Sequence, residues 1–535
     1  MLKPLILAGV AALAGYLYLK IHYKRHKQFA HIPQLGTNFF LGHMIAFGEI
    51  LQKGPADRHP DYVFEVMHKQ LDKPPLMLVD MRPLNVPVIL LTTHQLAEQV
   101  ARPSKMMPMS APKAGGDHMT PLMGATSLIH ACGDQAKTLR KRYSPAFAPS
   151  NIMRLLPTMI KAMDVFVEHI EDFANTGETF EFGDMVKLLT FDIIGSATLG
   201  VDLKGLPRKG EKQGEIVRSY LELFNMYLDD KNDFPWWLAP RLFLRRKRAG
   251  KYVENLLKDV IREQRQAKPS AAPKSSRTIL ELSVPPEEEL TDELLDETSD
   301  QIKSFLLAGH DTAATTLAWV FYYLHRTPRA LEEVRKELDT LLGPVTEPSA
   351  IMQKLSSDAG PEIIHNMTYI SAVIKEAMRL QPAAASARRM EPGTGFKVHD
   401  EAGNEYSLDG TLIYLIPYLI HRDRAAFGET AEDFIPERWL ESDINIPATA
   451  FRGFERGARA CIGQDFALAE MRLVIATLIR KYDFVKVGLG ELDLDAEKAL
   501  VLDEHGVARV KTDMYSTRQI NSRPVDGMKM VARVR

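Results

Sequence analysis

Cysteine is scarce in this chain of 535 residues, which contains only Cys132 and Cys461. Two thiols are too few for a disulfide framework, a four-thiolate zinc site or an iron–sulfur cluster. Their scarcity favours a reducing compartment over secretion. One thiolate is nevertheless enough to ligate a metal ion, so the local sequence around each cysteine decides whether it has a chemical use.

The sequence also lacks an excess of charge of either sign. Its 67 Lys and Arg residues nearly balance 69 Asp and Glu residues, which gives a formal net charge of −2. The surface as a whole therefore does not attract a strongly charged partner, and we expect no nucleic-acid binding. Hydrophobic residues make up 45% and charged residues 25%, which is the balance of a globular chain with a large core.

Long hydrophobic runs are missing except near the amino terminus, where residues 5–19 carry no charge. Positive charge follows this run, at Lys20, Lys24, Arg25 and Lys27. A spanning helix needs about 20 residues, and the long side chains of Lys3 and Lys20 can extend to the headgroups. A cleaved signal peptide, the alternative, would carry its positive charge mainly before the apolar run. We predict a single-pass membrane anchor whose positive flank leaves the body in the cytosol.

Three parts of the chain are predicted: a membrane anchor over 1–23, a basic, proline-containing linker over 24–36 and a single folded body over 37–535. Apolar residues in the body recur mostly with helical spacing. The predicted helical segments are 152–174, 185–199, 249–266 and 292–325, the strand-like segments are 86–91 and 411–418, and a surface loop is predicted over 267–277. The predicted fold class is mainly α with small β-sheets (α+β).

Cys461 lies in a loop whose sequence is Phe454-Glu455-Arg456-Gly457-Ala458-Arg459-Ala460-Cys461-Ile462-Gly463. Two glycines allow this loop to turn sharply, and a helical pattern over 465–482 follows it. Backbone N–H groups and the helix dipole would stabilise an anionic sulfur, and Phe454 would shield it from water. A lone cysteine is more often a small buried hydrophobe, but the spacing of the surrounding residues favours a metal-ligating loop.

The loop matches, at every fixed position, the signature F-x-x-G-x-R-x-C-x-G of the cytochrome P450 superfamily, which this chain resembles. The resemblance implies the cytochrome P450 fold with a single large haem domain and haem b (iron protoporphyrin IX) as the cofactor. It also implies that Cys461 is the axial ligand of the haem iron. Phe454 and Arg459 are implied as further haem contacts.

Two more arginines are assigned to the haem propionates by the same resemblance. Arg140 occupies the arginine position of the family pattern W-x-x-x-R, but the tryptophan position is Ala136 here. One propionate contact is therefore missing, which leaves Arg140 on that side, with Lys137 as an additional candidate. Arg388 is the other implied partner, and its neighbour Arg389 is the alternative.

The sequence Ala308-Gly309-His310-Asp311-Thr312 lies in the middle of the longest predicted helix. In the family this Gly and Thr mark a local opening of the helix over the haem, and the resemblance implies that Asp311 and Thr312 relay protons to bound oxygen. A hydroxyl and a carboxylate linked through water can deliver protons in this way. Taken alone, an ordinary buried threonine or a helix cap is the alternative.

Two other motifs predict a charge network. Glu376 and Arg379 are three residues apart on a predicted helix, so they share one face. Arg438 belongs to Pro436-Glu437-Arg438-Trp439, which resembles the family element P-E-R-F with Trp439 in place of phenylalanine. Together they suggest that Glu376, Arg379 and Arg438 brace the cysteine loop as structural rather than catalytic residues.

The resemblance implies a monooxygenase that inserts one oxygen atom from O₂ into a small hydrophobic substrate. The chain has no flavin or nicotinamide fingerprint, so its electrons must come from a separate NADPH-dependent reductase. An acidic donor could dock on basic residues near the haem, namely Lys137, Arg140, Lys141, Arg142, Arg452 and Arg456. The alternatives are an O₂-independent isomerase or dehydratase, which Asp311 and Thr312 argue against, and a non-catalytic haem binder, which would need a second axial ligand.

The general sequence is similar to fungal microsomal members of the family that modify secondary metabolites such as polyketides. This similarity implies residence in the endoplasmic reticulum membrane with the catalytic domain facing the cytosol. The run of small side chains over 383–386 lies where the family lines its substrate pocket, so it would leave room for a bulky or planar substrate.

Overall fold

A computed structural model describes residues 2–114, 116–228, 237–266, 277–441 and 445–535 of the chain. Helices predominate among these residues and surround small β-sheets, so the predicted mainly α fold with small sheets is confirmed. The predicted loop over 267–277 lies outside the described residues except for its last position.

The helices account for most of the ordered chain and are joined mainly by short connections. Their bounds are α1 (Leu2–His26), α2 (Met44–Leu51), α3 (Pro60–Gln70), α4 (His94–Ala101), α5 (Thr120–Met123), α6 (Gly133–Tyr143), α7 (Pro149–Thr176), α8 (Phe182–Leu199), α9 (Glu215–Asn225), α10 (Pro240–Gln266), α11 (Ile279–Ser283), α12 (Asp292–Arg326), α13 (Pro328–Leu342), α14 (Pro348–Leu355), α15 (Gly360–His365), α16 (Thr368–Leu380), α17 (Pro417–Ile420), α18 (Arg424–Phe427) and α19 (Gln464–Leu478). The predicted helical segments correspond to α7, α8, α10 and α12, although α10 begins at Pro240 rather than at residue 249.

Helix α12 forms the centre of the body, and its sequence explains both ends. The Thr291 hydroxyl accepts a hydrogen bond from the Leu294 N–H (3.3 Å), which caps the first turn. Acidic residues occupy the first turn and basic residues the last, as the helix dipole favours. Pro328 then starts α13, because a proline cannot continue the hydrogen-bond ladder of α12. Most of α12 is buried, and α8 packs along it.

The strands are β1 (Leu76–Val79), β2 (Val88–Leu91), β3 (Phe180–Glu181), β4 (Ser386–Arg389), β5 (Lys397–His399), β6 (Glu405–Ser407), β7 (Leu412–Leu415), β8 (Tyr482–Lys486), β9 (Ser516–Thr517), β10 (Arg523–Pro524) and β11 (Lys529–Val534). The largest sheet has the order β1-β2-β7-β4, in which β2 and β7 are parallel and the other pairs antiparallel. Strands β3, β11 and β8 form a second sheet, and the pairs β5–β6 and β9–β10 complete the set.

Strand β4 decides which of two neighbouring arginines points inward. Its side chains alternate between the two faces of the sheet, as strand geometry requires. Ser386 and Arg388 are buried, whereas Arg389 is exposed and pairs with Glu391. Arg388 lies opposite Ile413 of β7 and, on the other edge, forms an isolated antiparallel bridge with Lys113.

Helix α1 extends beyond the predicted anchor. It ends at His26 rather than at Tyr23 and leaves its apolar side chains exposed. Among the described residues it is the one helix that is long and apolar enough to cross a membrane. This finding agrees with the predicted anchor.

Residues of the predicted linker over 24–36 contact the body. The Arg25 guanidinium is buried and donates to Asp80 (2.5 Å) and to the Arg82 carbonyl (2.8 Å). Phe29 and Ile32 are buried in the same apolar cluster as the large sheet. The predicted linker therefore packs on the body through these two apolar side chains.

Candidate active site

The loop that carries Cys461 is closed by backbone contacts. The Cys461 N–H donates to the Phe454 carbonyl (2.8 Å). Gly457 has φ of 74°, and a Cβ at this position would lie 2.3 Å from the Ala101 carbonyl oxygen, so glycine is required. The chain then enters α19 at Gln464, which places the loop directly before a helix amino terminus.

The accessible surface of Cys461 faces an internal cavity, and protein surrounds the side chain elsewhere. Burial raises the pKa of the Cys461 thiol, while the Gly463 backbone N–H and the charges of Arg140 and Lys113 act in the opposite direction. Desolvation therefore outweighs the backbone stabilisation that we expected from the sequence. A thiolate at this position needs a further positive partner, and a bound metal ion would supply one.

The cavity beside Cys461 has a volume of about 260 Å³ and is lined mostly by apolar side chains. Ala308 is exposed in the otherwise buried middle of α12 because it faces this cavity. Cys461, Phe454, Arg459 and Thr312 all line it, as do residues 383–386. The structure thus brings together side chains from the cysteine loop, α12 and the segment before β4.

Helix α12 passes over the cavity without the local opening that we expected at Gly309. It is a continuous α-helix from Asp292 to Arg326. The Thr312 hydroxyl donates to the Ala308 carbonyl (2.7 Å), one turn earlier. A Cβ at position 309 would lie 2.8 Å from Ile194, so the glycine permits close packing of α8. The expectation was wrong because the helix pattern does not distinguish a glycine for packing from one that opens a helix.

Asp311 points away from the cavity, in contrast to Thr312. It is fully buried and accepts a hydrogen bond from the Asn521 amide (2.6 Å). The Arg523 guanidinium lies 3.5 Å from its other oxygen. Asn521 and Arg523 belong to the C-terminal β9–β10 region, which no local pattern linked to α12. Asp311 is therefore held by an ion pair on the far side of the helix.

One edge of the cavity carries buried positive charge. Arg388 is fully buried and donates from Nη1 to the Ser386 hydroxyl (2.6 Å), but its Nε and Nη2 have no partner within the described residues. Lys113 also donates to Ser386 (3.0 Å). The Arg459 guanidinium, also buried, donates to the Leu128 carbonyl (2.7 Å). Burial lowers the pKa of Arg388 to about 10 and that of Lys113 to about 7.

Sequence reasoning missed Lys113, which lies in a segment without regular structure or a recognisable motif. It also missed Glu470 on α19, which lines the same cavity. Neither carboxyl oxygen of Glu470 accepts a hydrogen bond from any part of the chain that the structure describes. Burial raises the pKa of Glu470 well above its ordinary value.

Arg140 lies on α6, close enough to Cys461 for the two charges to interact, but it is not part of the cavity lining. It is half-buried, and its guanidinium makes no hydrogen bond or ion pair within the described residues. Ala136 is buried one turn earlier on the same helix. The small side chain at this position leaves the Arg140 guanidinium without a neighbouring indole.

Glu376, Arg379 and Arg438 form a compact buried network. Arg379 donates to both oxygens of Glu376 (2.8 and 2.9 Å), and Arg438 donates to one of them (3.0 Å). The Ile435 N–H also donates to Glu376 (2.9 Å). Arg379 further donates to carbonyls of the loops that precede the Cys461 loop, such as that of His421 (2.8 Å).

Trp439, which departs from the family element, takes part in this network. Its indole N–H donates to Glu376 (2.9 Å), a contact that phenylalanine could not make. The Lys375 ammonium lies 3.8 Å from the centre of the same indole and 5.2 Å from the Phe451 ring. The tryptophan therefore adds a hydrogen bond and a strong cation–π contact at this position.

These features define a mainly helical enzyme body in which one cysteine of a glycine-containing loop faces an apolar cavity beneath a long central helix. The sequence profile of the cytochrome P450 family matches residues 41–506. The chain therefore belongs to the cytochrome P450 family and is a monooxygenase of that family.

Curated relatives agree with this assignment. Cytochrome P450 monooxygenase acrF of Aspergillus aculeatus is 31% identical over 459 residues, which cover 81% of this chain and 89% of that protein. Cytochrome P450 monooxygenase polC of Polytolypa hystricis is 26% identical over 499 residues, covering 89% of this chain and 85% of that protein. A bifunctional cytochrome P450/NADPH–P450 reductase of Gibberella moniliformis is 33% identical over 193 residues, covering 35% of this chain and 15% of that protein.

The family implies a haem, and the cavity fits one. A flat apolar ring with two carboxylates needs apolar walls, a ligand for its iron and positive charge at one edge. The cavity supplies apolar walls and the Cys461 sulfur, and Lys113, Ser386 and Arg459 line it. Arg388 lies beside it, donates to Ser386, and has two nitrogen atoms without a hydrogen-bond partner among the described residues. The described residues contain no group of three or more His, Cys, Asp or Glu that could hold a bare metal ion.

Proposed function

We propose that this chain is a haem b-dependent monooxygenase that inserts one oxygen atom from O₂ into a small hydrophobic molecule. When bound, the haem would supply the site at which O₂ is activated, a reaction that consumes two electrons and two protons. One observation carries the proposal: the Cys461 sulfur and the Thr312 side chain line one apolar cavity. A second axial protein ligand would instead favour an electron carrier.

The chain would hold the haem through residues of three segments. Cys461 would ligate the iron, and Phe454 would shield the sulfur from water. Arg388 and Arg459 would bind the two carboxylates, and Arg140 would add positive charge from α6. Glu376 and its two arginines would keep the cysteine loop in place without touching the haem.

Proton delivery would depend on Thr312 and Asp311 in different ways. The Thr312 hydroxyl would donate to oxygen in the cavity once it releases the Ala308 carbonyl, to which it now donates. Asp311 would act behind it, because its carboxylate is held by Asn521 and Arg523 and does not line the cavity. A change in these contacts is needed before Asp311 can pass a proton to its neighbour.

The electrons would come from a separate NADPH-dependent reductase. One relative is named as a bifunctional cytochrome P450/NADPH–P450 reductase, which supports a reductase of this type as the donor. Fewer basic residues are available to bind an acidic reductase than we expected from the sequence, because Arg452 pairs with Glu98 and Arg142 pairs with Glu288. Lys137 and Lys141 on α6 remain exposed. An acidic partner would therefore dock beside α6.

The substrate would be a bulky or planar apolar compound, plausibly a secondary metabolite such as a polyketide. The small side chains of Ala383, Ala384 and Ala385 line the cavity and leave space there. Replacing Ala384 with phenylalanine should abolish turnover of a polycyclic substrate and retain that of a small linear one. If the variant turns over the polycyclic substrate like the wild type, the alanines do not set the size of the substrate.

The body would face the cytosol from the endoplasmic reticulum membrane. Helix α1 supports a single-pass anchor, since it is exposed and apolar and its basic residues follow the apolar run. Protease digestion of intact microsomes should remove the body from the outer face. Protection of the body without detergent would contradict this orientation.

The spectrum of the reduced, CO-bound protein tests the central assignment. We expect a thiolate-type Soret band in the wild type, loss of that band in Cys461→Ser, and retention in the control Cys132→Ser. Incorporation of labelled O₂ into a product would then separate a monooxygenase from an O₂-independent isomerase or dehydratase. A purified wild-type protein without porphyrin would overturn the whole proposal.

A further inference from the structure

Two cations, the buried Arg388 and the partly buried Lys113, lie directly opposite each other beside the cavity. Lys113 and Arg388 are antiparallel bridge partners, and such partners project their side chains on the same side. Neighbouring backbone bonds fix the register, since the Arg389 N–H donates to the Pro112 carbonyl (3.0 Å) and the Ala114 N–H to the Ala387 carbonyl (3.1 Å). Like charges in directly opposed positions are destabilising, and more so where water is excluded.

The Ser386 hydroxyl connects the two cations. It accepts a hydrogen bond from Lys113 Nζ (3.0 Å) and another from Arg388 Nη1 (2.6 Å). Both lone pairs of this oxygen are then used, so its own proton is left to donate to an acceptor. Ser386 and Lys113 both line the cavity that contains Cys461. The free donors at this edge are therefore the serine hydroxyl, the lysine ammonium and two N–H groups of Arg388.

Among the residues that the structure describes, no carboxylate forms an ion pair with Lys113 or Arg388. Glu455 is the carboxylate that acts on Lys113 and Arg388, and it is already paired with Arg452. Arg459 adds a third positive charge and donates to backbone carbonyls. Lys113 has no ion pair within the described residues. A buried arrangement of this kind calls for an anionic ligand with several acceptor atoms.

We propose that Lys113 and Ser386 act with Arg388 as one clamp for a haem carboxylate. The proposal rests on haem binding as proposed above. It adds two haem-binding residues, Lys113 from outside every motif of the sequence and Ser386 from the run of small side chains over 383–386. Lys113 and Arg388 would both form charge-assisted hydrogen bonds to the carboxylate. Removing Lys113 should therefore shorten the time for which the haem stays bound and change the electrostatic potential at the iron.

Haem release from the loaded, full-length protein tests the clamp. Release is followed by the loss of the Soret band when excess apomyoglobin captures the haem, in wild type, Lys113→Met, Lys113→Arg, Ser386→Ala and Arg389→Met. Arg389→Met is the matched control, because it removes a cation from the same strand on the opposite, exposed face. We expect about tenfold faster release from Lys113→Met, the effect of one lost charge-assisted hydrogen bond. Lys113→Arg and Ser386→Ala should be intermediate, and the control unchanged.

The reduction potential of the haem provides a second readout. A change in packing alone would shift this potential equally in Lys113→Met and Lys113→Arg, whereas an effect of charge would distinguish the two variants. Removing a positive charge near the carboxylates favours the ferric state, so the potential of Lys113→Met should become more negative, while Lys113→Arg should stay close to wild type. Equal release and potential in Lys113→Met and wild type would overturn the clamp. Equal effects of the Met and Arg variants would also overturn it, since packing alone would then explain them. A wild-type protein without haem would instead overturn the proposed function itself.

Discussion

Replacing Glu376 with glutamine should destabilise the protein far more than the loss of one surface charge. The carboxylate is fully buried and is the shared acceptor for Arg379, Arg438, Trp439 and a backbone N–H. Glutamine has nearly the same shape but no charge, and its amide N–H₂ would face donors. Two buried guanidinium groups would then lose the anion that they share.

The expected magnitude follows from these contacts. Removing one partner of a buried ion pair typically costs about 3–5 kcal/mol, because the remaining charge stays buried and unpaired. Trp439→Phe removes a single hydrogen bond to the same carboxylate and should cost about 1.5–3 kcal/mol. Glu429→Gln is the control, since Glu429 forms an exposed pair with Arg424 that should contribute at most about 1 kcal/mol. The expected order is therefore Glu376→Gln, Trp439→Phe, Glu429→Gln.

Urea unfolding of the haem-loaded proteins, followed by far-UV circular dichroism, measures these differences. The Soret absorbance per protein should fall in the same order, because the network supports the loops before Cys461. The reasoning would be refuted if Glu376→Gln unfolded within about 1 kcal/mol of Glu429→Gln. A low Soret absorbance with unchanged unfolding would also refute it, since the network would then act on haem binding alone.

Two further predictions concern other buried charges. Burial raises the pKa of Glu470 well above 4.5, so the stability that its neutral form contributes is fully present below pH 4.5 and is lost as the pH rises toward the raised pKa. The thermal stability of Glu470→Gln should therefore match that of wild type near pH 4 and exceed it increasingly at higher pH. A difference in thermal stability that stays constant across pH would contradict this prediction. Burial alone would raise the pKa of Asp80, but hydrogen bonds from Arg82 and Arg25 lower it to about 2. The Asp80 carboxylate is therefore charged at neutral pH and keeps its contacts with both arginines. Arg25→Met should free the end of α1 and speed trypsin cleavage after Lys24 and Lys27, and equal cleavage rates would show that Arg25 does not hold this segment.

The parts of the site that depend on local sequence could be predicted from it. The loop before Cys461, the long helix α12 and the choice of Glu376 as a network member all follow from residues close together in the chain. The predicted ends of helices and strands were less accurate where a helix is followed closely by a strand. The helix predicted over 465–482 after the cysteine loop ends at Leu478, because strand β8 begins at Tyr482.

Contacts between distant segments could not be predicted in this way. Lys113 and Ser386 are 273 residues apart. Lys113 belongs to no recognisable pattern, and the small-residue run that contains Ser386 gives no indication of a contact with Lys113. Asn521 lies 210 residues from Asp311, so the direction of that carboxylate depends on how the C-terminal strands pack. Gly309 illustrates a different limit, because the same residue type permits both helix opening and close helix packing.

The positive edge of the cavity results from chain topology rather than from composition. The chain has a formal net charge of −2, yet Lys113 and Arg459 line the cavity from separate segments, and the buried Arg388 is joined to Lys113 through the Ser386 hydroxyl. Water would solvate each of these cations at the surface, whereas their repulsion is stronger in the interior. Two nitrogen atoms of Arg388 also have no hydrogen-bond partner in the part of the chain that the structure describes. An anion bound there removes the repulsion and satisfies the donors at the same time. A balanced composition therefore excludes a strong field at the surface and still allows a site inside the protein that is selective for a carboxylate-bearing cofactor.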